Sequence, residues 1–137
     1  MQKRRLGRSD LYLTQAEDRL LTGKYTRARL ADLPEGDWRR RGARFQEPEL
    51  TANLAFVEGL RRIAEGEGCS LADLAIAWVL RRPEIASAIV GARSPAQIAE
   101  TVKYADQALS AEVLGEIERL LDEREGWCRE RRPVEAP

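Results

Sequence analysis

The residues of this chain best suited to chemistry by type and spacing are Val90-Gly91-Ala92-Arg93-Ser94-Pro95-Ala96-Gln97, where an apolar run ends in glycine and opens directly into a helix start. Ser94 is an N-cap residue, Pro95 fits the first helical position and Gln97 completes a capping box. The first turn of a helix presents unpaired N–H groups and a partial positive charge, and the planar guanidinium of Arg93 beside it suits a phosphate. The chemistry on offer is phosphate binding. The same Ser94 and Gln97 would equally cap a helix in a protein that binds nothing, with Arg93 a solvated surface charge, so spacing alone leaves both readings open.

Candidate catalytic groups are sparse. The chain has no histidine, which excludes a Ser-His-Asp or Cys-His arrangement, an HExxH zinc site and an imidazole titrating near neutral pH. Cys69 and Cys128 are far apart and form no CxxC pair, so the sequence predicts free thiols rather than a zinc cluster or a disulfide framework. Cys69 directly precedes a helix cap, a position that lowers a thiol's pKa, yet a lone cysteine without a histidine partner is the signature of an inert one. The 23 Lys and Arg balance 23 Asp and Glu, which argues against a surface built for nucleic acid or an anionic membrane. Arg39-Arg40-Arg41 and the arginines from Arg129 to Arg132 therefore read as solvated loop and tail charge. No apolar stretch approaches the roughly 18 residues of a membrane span, and the basic start is followed by no signal-peptide core, so the expectation is a cytoplasmic protein.

The elements that would position the phosphate seat follow from punctuation and period. Arg4 to Leu13 reads as a β-hairpin with Gly7 and Ser9-Asp10 at its turn. Gln15 to Thr26 reads as a short helical turn stopped at Gly23, and Arg27 to Gln46, charged and broken by Pro34, Gly36 and Gly42, as an exposed loop. Leu50, Leu54, Val57, Leu60 and Ile63 predict an amphipathic helix that stops at Gly66 and Gly68. Ser70 and Asp73 start a second helix, with Trp78 packed inward, that ends at Pro83. Ile85 to Val90 reads as a strand buried on both faces. A third helix runs from Ser94 to about Ala105, and a fourth from Ser110 to about Arg124, followed by a polar, frayed tail from Gly126. One buried strand cannot satisfy its backbone without neighbours, so the pattern is that of a piece of a parallel α/β architecture.

Two regions resemble the aldo-keto reductases, NADP-dependent oxidoreductases folded as a (β/α)8 barrel. Met1 to Leu11 is similar to the hairpin that covers the bottom of that barrel, and Leu20-Leu21-Thr22-Gly23-Lys24-Tyr25 to about Glu123 is similar to the family's last quarter. The resemblance implies an α/β fold, a partial TIM (β/α)8 barrel of aldo-keto reductase type, mostly helical here with the hairpin and one or two barrel strands. It implies a single partial domain over residues 1–137, divided into hairpin (1–14), C-terminal barrel part (19–124) and tail (125–137). Ile89 to Glu100 resembles the segment that holds the adenosine 2′-phosphate and adenine of NADP(H). By that resemblance Gly91, Ala92, Arg93 and Ser94 hold the phosphate, Gln97 and Glu100 lie against the adenosine, and Leu21, Thr22 and Gly23 fold over the pyrophosphate. Thr101 stands where the family commonly has Asn.

The family's catalytic tetrad of Asp, Tyr, Lys and His lies on early strands that have no counterpart between Leu13 and Leu20. A complete barrel takes about 250 residues, far more than this chain has. The expectation is a homologue that keeps part of the NADP(H) site, lacks the tetrad and is inactive alone. The alternative is a non-catalytic interaction module whose apolar helix faces, patterned to cover a missing sheet, cover a protein partner or a second copy of the chain.

Overall fold

The computed structural model describes residues 4–5, 12–13, 20–82, 85, 88, 94–102 and 108–131. Two short strands, β1 (Arg4–Arg5) and β2 (Tyr12–Leu13), pair antiparallel with Arg4 opposite Leu13 and Arg5 opposite Tyr12, the hairpin the sequence predicts. A 3₁₀ turn follows at Leu20–Thr22 and ends at Gly23, whose φ of 66° only glycine adopts without strain.

The segment expected as an exposed loop, Arg27 to Gln46, is instead built of short helical pieces: α1 (Arg27–Ala31) and 3₁₀ turns at Trp38–Arg40 and Ala43–Phe45. Each piece is closed locally. The Thr26 side chain accepts from the Arg29 N–H at 3.2 Å and Asp37 Oδ1 from the Arg39 N–H at 3.0 Å. The segment is held down because Tyr25, Leu30 and Phe45 reach the core. Phe45 lies edge-on between Tyr25 and Trp38, with ring centroids 5.9 and 5.8 Å away. Burial of three apolar side chains outweighs the charged composition, since each contributes about 1.5–3 kcal/mol.

The long helix α2 (Glu49–Gly66) buries Leu50, Val57, Leu60 and Ile63, as their spacing predicts, together with Phe56. It closes in a Schellman motif at Gly68, φ 66°, where the Gly68 N–H donates to the Glu65 carbonyl at 3.2 Å and the Cys69 N–H to the Ala64 carbonyl at 2.9 Å. α3 (Leu71–Leu80) opens with the expected capping box: Ser70 accepts from the Asp73 N–H, and the Asp73 carboxylate accepts from the Ser70 N–H. Leu74 and Trp78 of α3 are buried.

α4 (Pro95–Val102) begins with Pro95 as its first residue, as expected. α5 (Ala111–Arg131) is capped by Ser110, whose hydroxyl accepts from the Val113 N–H at 3.1 Å. The expectation of a frayed tail from Gly126 is corrected over residues 126–131, which continue the helix and bury Cys128. The reason is a seam of Val113, Ile117, Leu121, Arg124 and Cys128 at four- and three-residue steps, one face that runs past Gly126. Trp127, with Arg131 stacked 3.5 Å above its ring, covers the next turn.

α5 lies along α2, and α3 and the Leu20–Thr22 turn close the same core. Leu120 packs where Gly59 has no side chain; a Cβ there would lie 2.7 Å from Leu120 Cδ2. Of the strand expected over Ile85 to Val90, only Ile85 and Ala88 are described; both are half-buried and neither belongs to a strand. The Ile85 N–H instead turns back to the Arg82 carbonyl at 2.9 Å. The remaining four positions lie outside the described residues. Among the described residues no helix is long and apolar enough to cross a membrane.

Candidate functional site

The Leu20–Gly23 turn sits on the core. Leu20 is buried and Leu21 half-buried, the latter lining a small internal void of about 10 Å³ with Phe56, Leu60, Leu74, Trp78 and Ile117. Gly23 is fixed from outside by a residue that motif reading missed: Arg61 of α2 donates to the Gly23 carbonyl at 2.9 Å. A Cβ at Gly23 would meet Arg61 Nη2 at 2.5 Å and Leu71 Cδ2 at 2.9 Å, so the position requires glycine for space as well as for φ. The thirty-eight residues separating Arg61 from Gly23 explain why no local pattern showed the pair.

At the second half of the expected seat, Ser94 directly precedes α4 and is exposed, as are Pro95, Ala96 and Ile98. The Ile98 N–H donates to the Ser94 carbonyl at 3.4 Å, closing the first turn. Gly91, Ala92 and Arg93, and the side chains of Thr22, Gln97, Glu100 and Thr101, lie outside the described residues. Of the expected site residues the structure therefore places Leu21, Gly23 and Ser94.

Between these two parts the segment from Lys24 to Glu47 carries an ordered charge cluster. Arg39 Nε donates to Asp37 Oδ1 at 2.7 Å, a second guanidinium nitrogen donates to Asp37 Oδ2, and a third contact reaches the Tyr25 hydroxyl. The hydrogen bond from Arg39 holds the Asp37 carboxyl down at about 2, below its ordinary 3.8. A carboxylate whose folded pKa is depressed stabilises the fold above its ordinary pKa and loses that contribution as pH falls through the folded value. Tryptophan emission, to which Trp38 contributes from its packing on Phe45, is therefore expected to change between about pH 4 and pH 2. In Asp37→Asn that part of the change is absent; an identical acid transition in the variant would contradict the assignment.

Cys69 does not have the lowered pKa that its position before a cap predicts. Burial pushes its thiol up, reinforced by the negative charges of Asp73 and Glu67. Cys69 and Cys128 are both free thiols, as expected.

Comparison with known proteins agrees with this architecture. The model of the aldo/keto reductase family matches residues 17–122. A candidate voltage-gated potassium channel subunit beta of Schizosaccharomyces pombe is 34% identical over 110 residues, covering 75% of this chain and 31% of that protein. The NADP(+) aldo-keto reductase yakc of the same organism is 30% identical over 105 residues, covering 77% and 30%. Among solved structures, the glycerol dehydrogenase AKR11B4 of Gluconobacter oxydans superposes with a TM-score of 0.67 at 29% identity, over 88% of this chain and 34% of that one. The chain spans about a third of the length of these relatives. Over the described residues the scaffold is mostly helical. The chain belongs to the aldo/keto reductase family.

Proposed function

We propose that this chain forms the adenosine-binding part of an NADP(H) site on a partial (β/α)8 barrel, in the cytoplasm, and does not reduce a carbonyl substrate by itself. The observation that carries the reading is the exposed Ser94 at the opening of α4, directly after Gly91-Ala92-Arg93, within the span that matches the family. The name of one relative states NADP(+) as its cofactor. Gly91 and Ala92 would bring their backbone close to the 2′-phosphate, Arg93 and Ser94 would hold it, and Gln97 and Glu100 would lie along the adenosine. The turn that holds Leu21 and Gly23, clamped by Arg61, would fold over the pyrophosphate. NADPH supplies hydride when bound in a complete member of the family; these residues bind and orient it. Orientation without a proton donor is insufficient for reduction, and the 137 residues hold no histidine for the family's tetrad.

Arg93→Ala is expected to weaken NADPH binding by about tenfold or more, the loss of a charge-assisted hydrogen bond, while changing NADH binding little because NADH has no 2′-phosphate. Isothermal titration with both nucleotides checks this, and equal losses for the two would contradict the role of Arg93.

A second reading is favoured by α3. Leu74 and Trp78 face the core, but Ala75, Ile76, Val79 and Leu80 are only half-buried, an apolar face left partly open. One relative is named as a candidate channel subunit, a protein that works by association. Under this reading the face covers a partner or a second copy, and sedimentation velocity over a hundredfold concentration range shows self-association; a monomer throughout would count against the second copy.

A further inference from the structure

Nine of the ten residues of α3 are apolar, and the tenth, Asp73, is engaged in the Ser70 capping box. A helix that is apolar all round belongs in an interior. Only one side of α3 lies in one. Leu71, Leu74, Ala77 and Trp78 are buried, whereas on the other side Ala72 is exposed and Ala75, Ile76, Val79 and Leu80 are half-buried. At about 100° per residue these five positions form one continuous arc without a polar side chain.

The two ends of this face carry opposite charge. Glu65 and Glu67 stand exposed ahead of the N-terminus of α3, and Arg81 and Arg82 follow its C-terminus, Arg82 exposed. Among the described residues neither glutamate nor Arg82 belongs to an ion pair, and the guanidinium of Arg81, near Glu118 of α5, donates to the Trp78 carbonyl at 2.6 Å. Side-chain size changes in the same direction along the face. Ala72 and Ala75 lie towards the N-terminus, Val79 and Leu80 towards the C-terminus, and Ile76 between them.

We propose that this face of α3 docks on the same face of a second copy of the chain, the two helices antiparallel about a two-fold axis at Ile76. The proposal rests on α3 being an association surface and names what associates. The axis sets Ile76 against Ile76 of the second copy, Ala72 against Leu80 and Ala75 against Val79, so each small residue meets a large one, as interdigitating helices require. It also brings the Arg81–Arg82 end of each helix to the Glu65–Glu67 end of the other, once on each side of the axis. A parallel pair would set alanine against alanine at one end, leucine against leucine at the other, and like charge against like. The seam of two ten-residue helices is about 15 Å long. It falls short of the roughly 1,200–2,000 Å² of a stable interface, so the dimer is a reversible one with a Kd in the micromolar range.

The test is sedimentation velocity on the full chain from about 1 to 500 µM, a range that brackets such a Kd, together with the fluorescence of anilinonaphthalene sulfonate, a dye for exposed apolar surface. The expected result is a sedimentation coefficient that rises reversibly with concentration and a dimer that high salt weakens several-fold. Ile76→Glu, which puts like charges in contact on the axis, is expected to raise Kd by about tenfold or more. Should that variant fail to fold, the exposed ends keep the test: Arg82→Glu and Glu67→Arg are each expected to raise Kd by about threefold or more, and the double variant to recover most of the loss. Recovery requires the two residues to meet between copies, because within one chain the length of α3 separates them. Dimerisation indifferent to Ile76→Glu and to the charge reversals would place self-association on another surface and overturn the proposal. A monomer throughout also overturns it, and the dye then separates two cases. Dye fluorescence that is high with the native chain and falls with Ala72→Glu leaves the α3 face to a different protein, whereas a chain that binds no dye removes α3 as an association surface altogether.

Discussion

Asn53→Ala is expected to lower the stability of the chain by about 2–4 kcal/mol, read as a lower denaturant midpoint at unchanged slope and a melting temperature roughly 10 °C lower. Asn53 is fully buried in α2 and serves two partners at once. Its Nδ2 donates to the Arg44 carbonyl at 2.8 Å, fixing the end of the 24–47 segment, and its Oδ1 accepts from Arg124 Nε of α5 at 2.6 Å. Arg124 is itself only 4% exposed. A hydrogen bond to a buried charge contributes about 1.5–3 kcal/mol, and truncation also leaves the Arg44 carbonyl without this donor. Because this one side chain joins α2, α5 and the 24–47 segment, its loss should loosen all three together. A change below about 0.5 kcal/mol would contradict the account of the α2–α5 seam.

Trp78→Ala is expected to cost about 3–5 kcal/mol, a large share of the roughly 5–15 kcal/mol by which a domain of this size is stable. Trp78 is 3% exposed, its ring lies under the Arg81 guanidinium at 3.3 Å, and it borders the void beneath Leu21. Trp78→Phe should cost markedly less. The indole Nε1 is buried with no hydrogen-bond partner among the described residues, so replacing the ring breaks no hydrogen bond and gives up volume and part of the stacking with Arg81. If Phe proves as damaging as Ala, the indole N–H has a role that this packing does not provide. Since Leu21 rests on the same void, the alanine variant should also loosen the Leu20–Gly23 turn and weaken nucleotide binding beyond its effect on folding.

The helices were legible wherever one face was uniformly apolar and the ends were chemically marked. The Ser70–Asp73 box, the Ser110 cap, Pro95 at the start of α4 and the Gly68 stop are local signals whose hydrogen bonds need only neighbouring residues. The 24–47 segment escaped the same reading because its buried residues, Tyr25, Leu30 and Phe45, follow no period and are held by contacts with a distant helix and with one another. The last turns of α5 escaped because Arg124, on the buried face, has the residue type of the solvent face; its burial depends on Asn53, seventy-one positions away. For the site the contrast is similar. The turn residues Leu21 and Gly23 and the cap Ser94 are visible in sequence as punctuation. Arg61 acquires meaning only when folding brings the Gly23 carbonyl to it.

The central claim, that this chain retains the adenosine end of an NADP(H) site, is tested most directly by titrating the purified protein with NADPH and with NADH, following nicotinamide fluorescence and thermal stability. Specific binding stabilises the native state by mass action, by about 2.7 kcal/mol at a hundredfold excess over Kd. The account predicts saturable binding of NADPH, a rise in melting temperature that tracks its concentration, and weaker binding of NADH. A cooperatively folded protein whose melting temperature and fluorescence respond to neither nucleotide would contradict it.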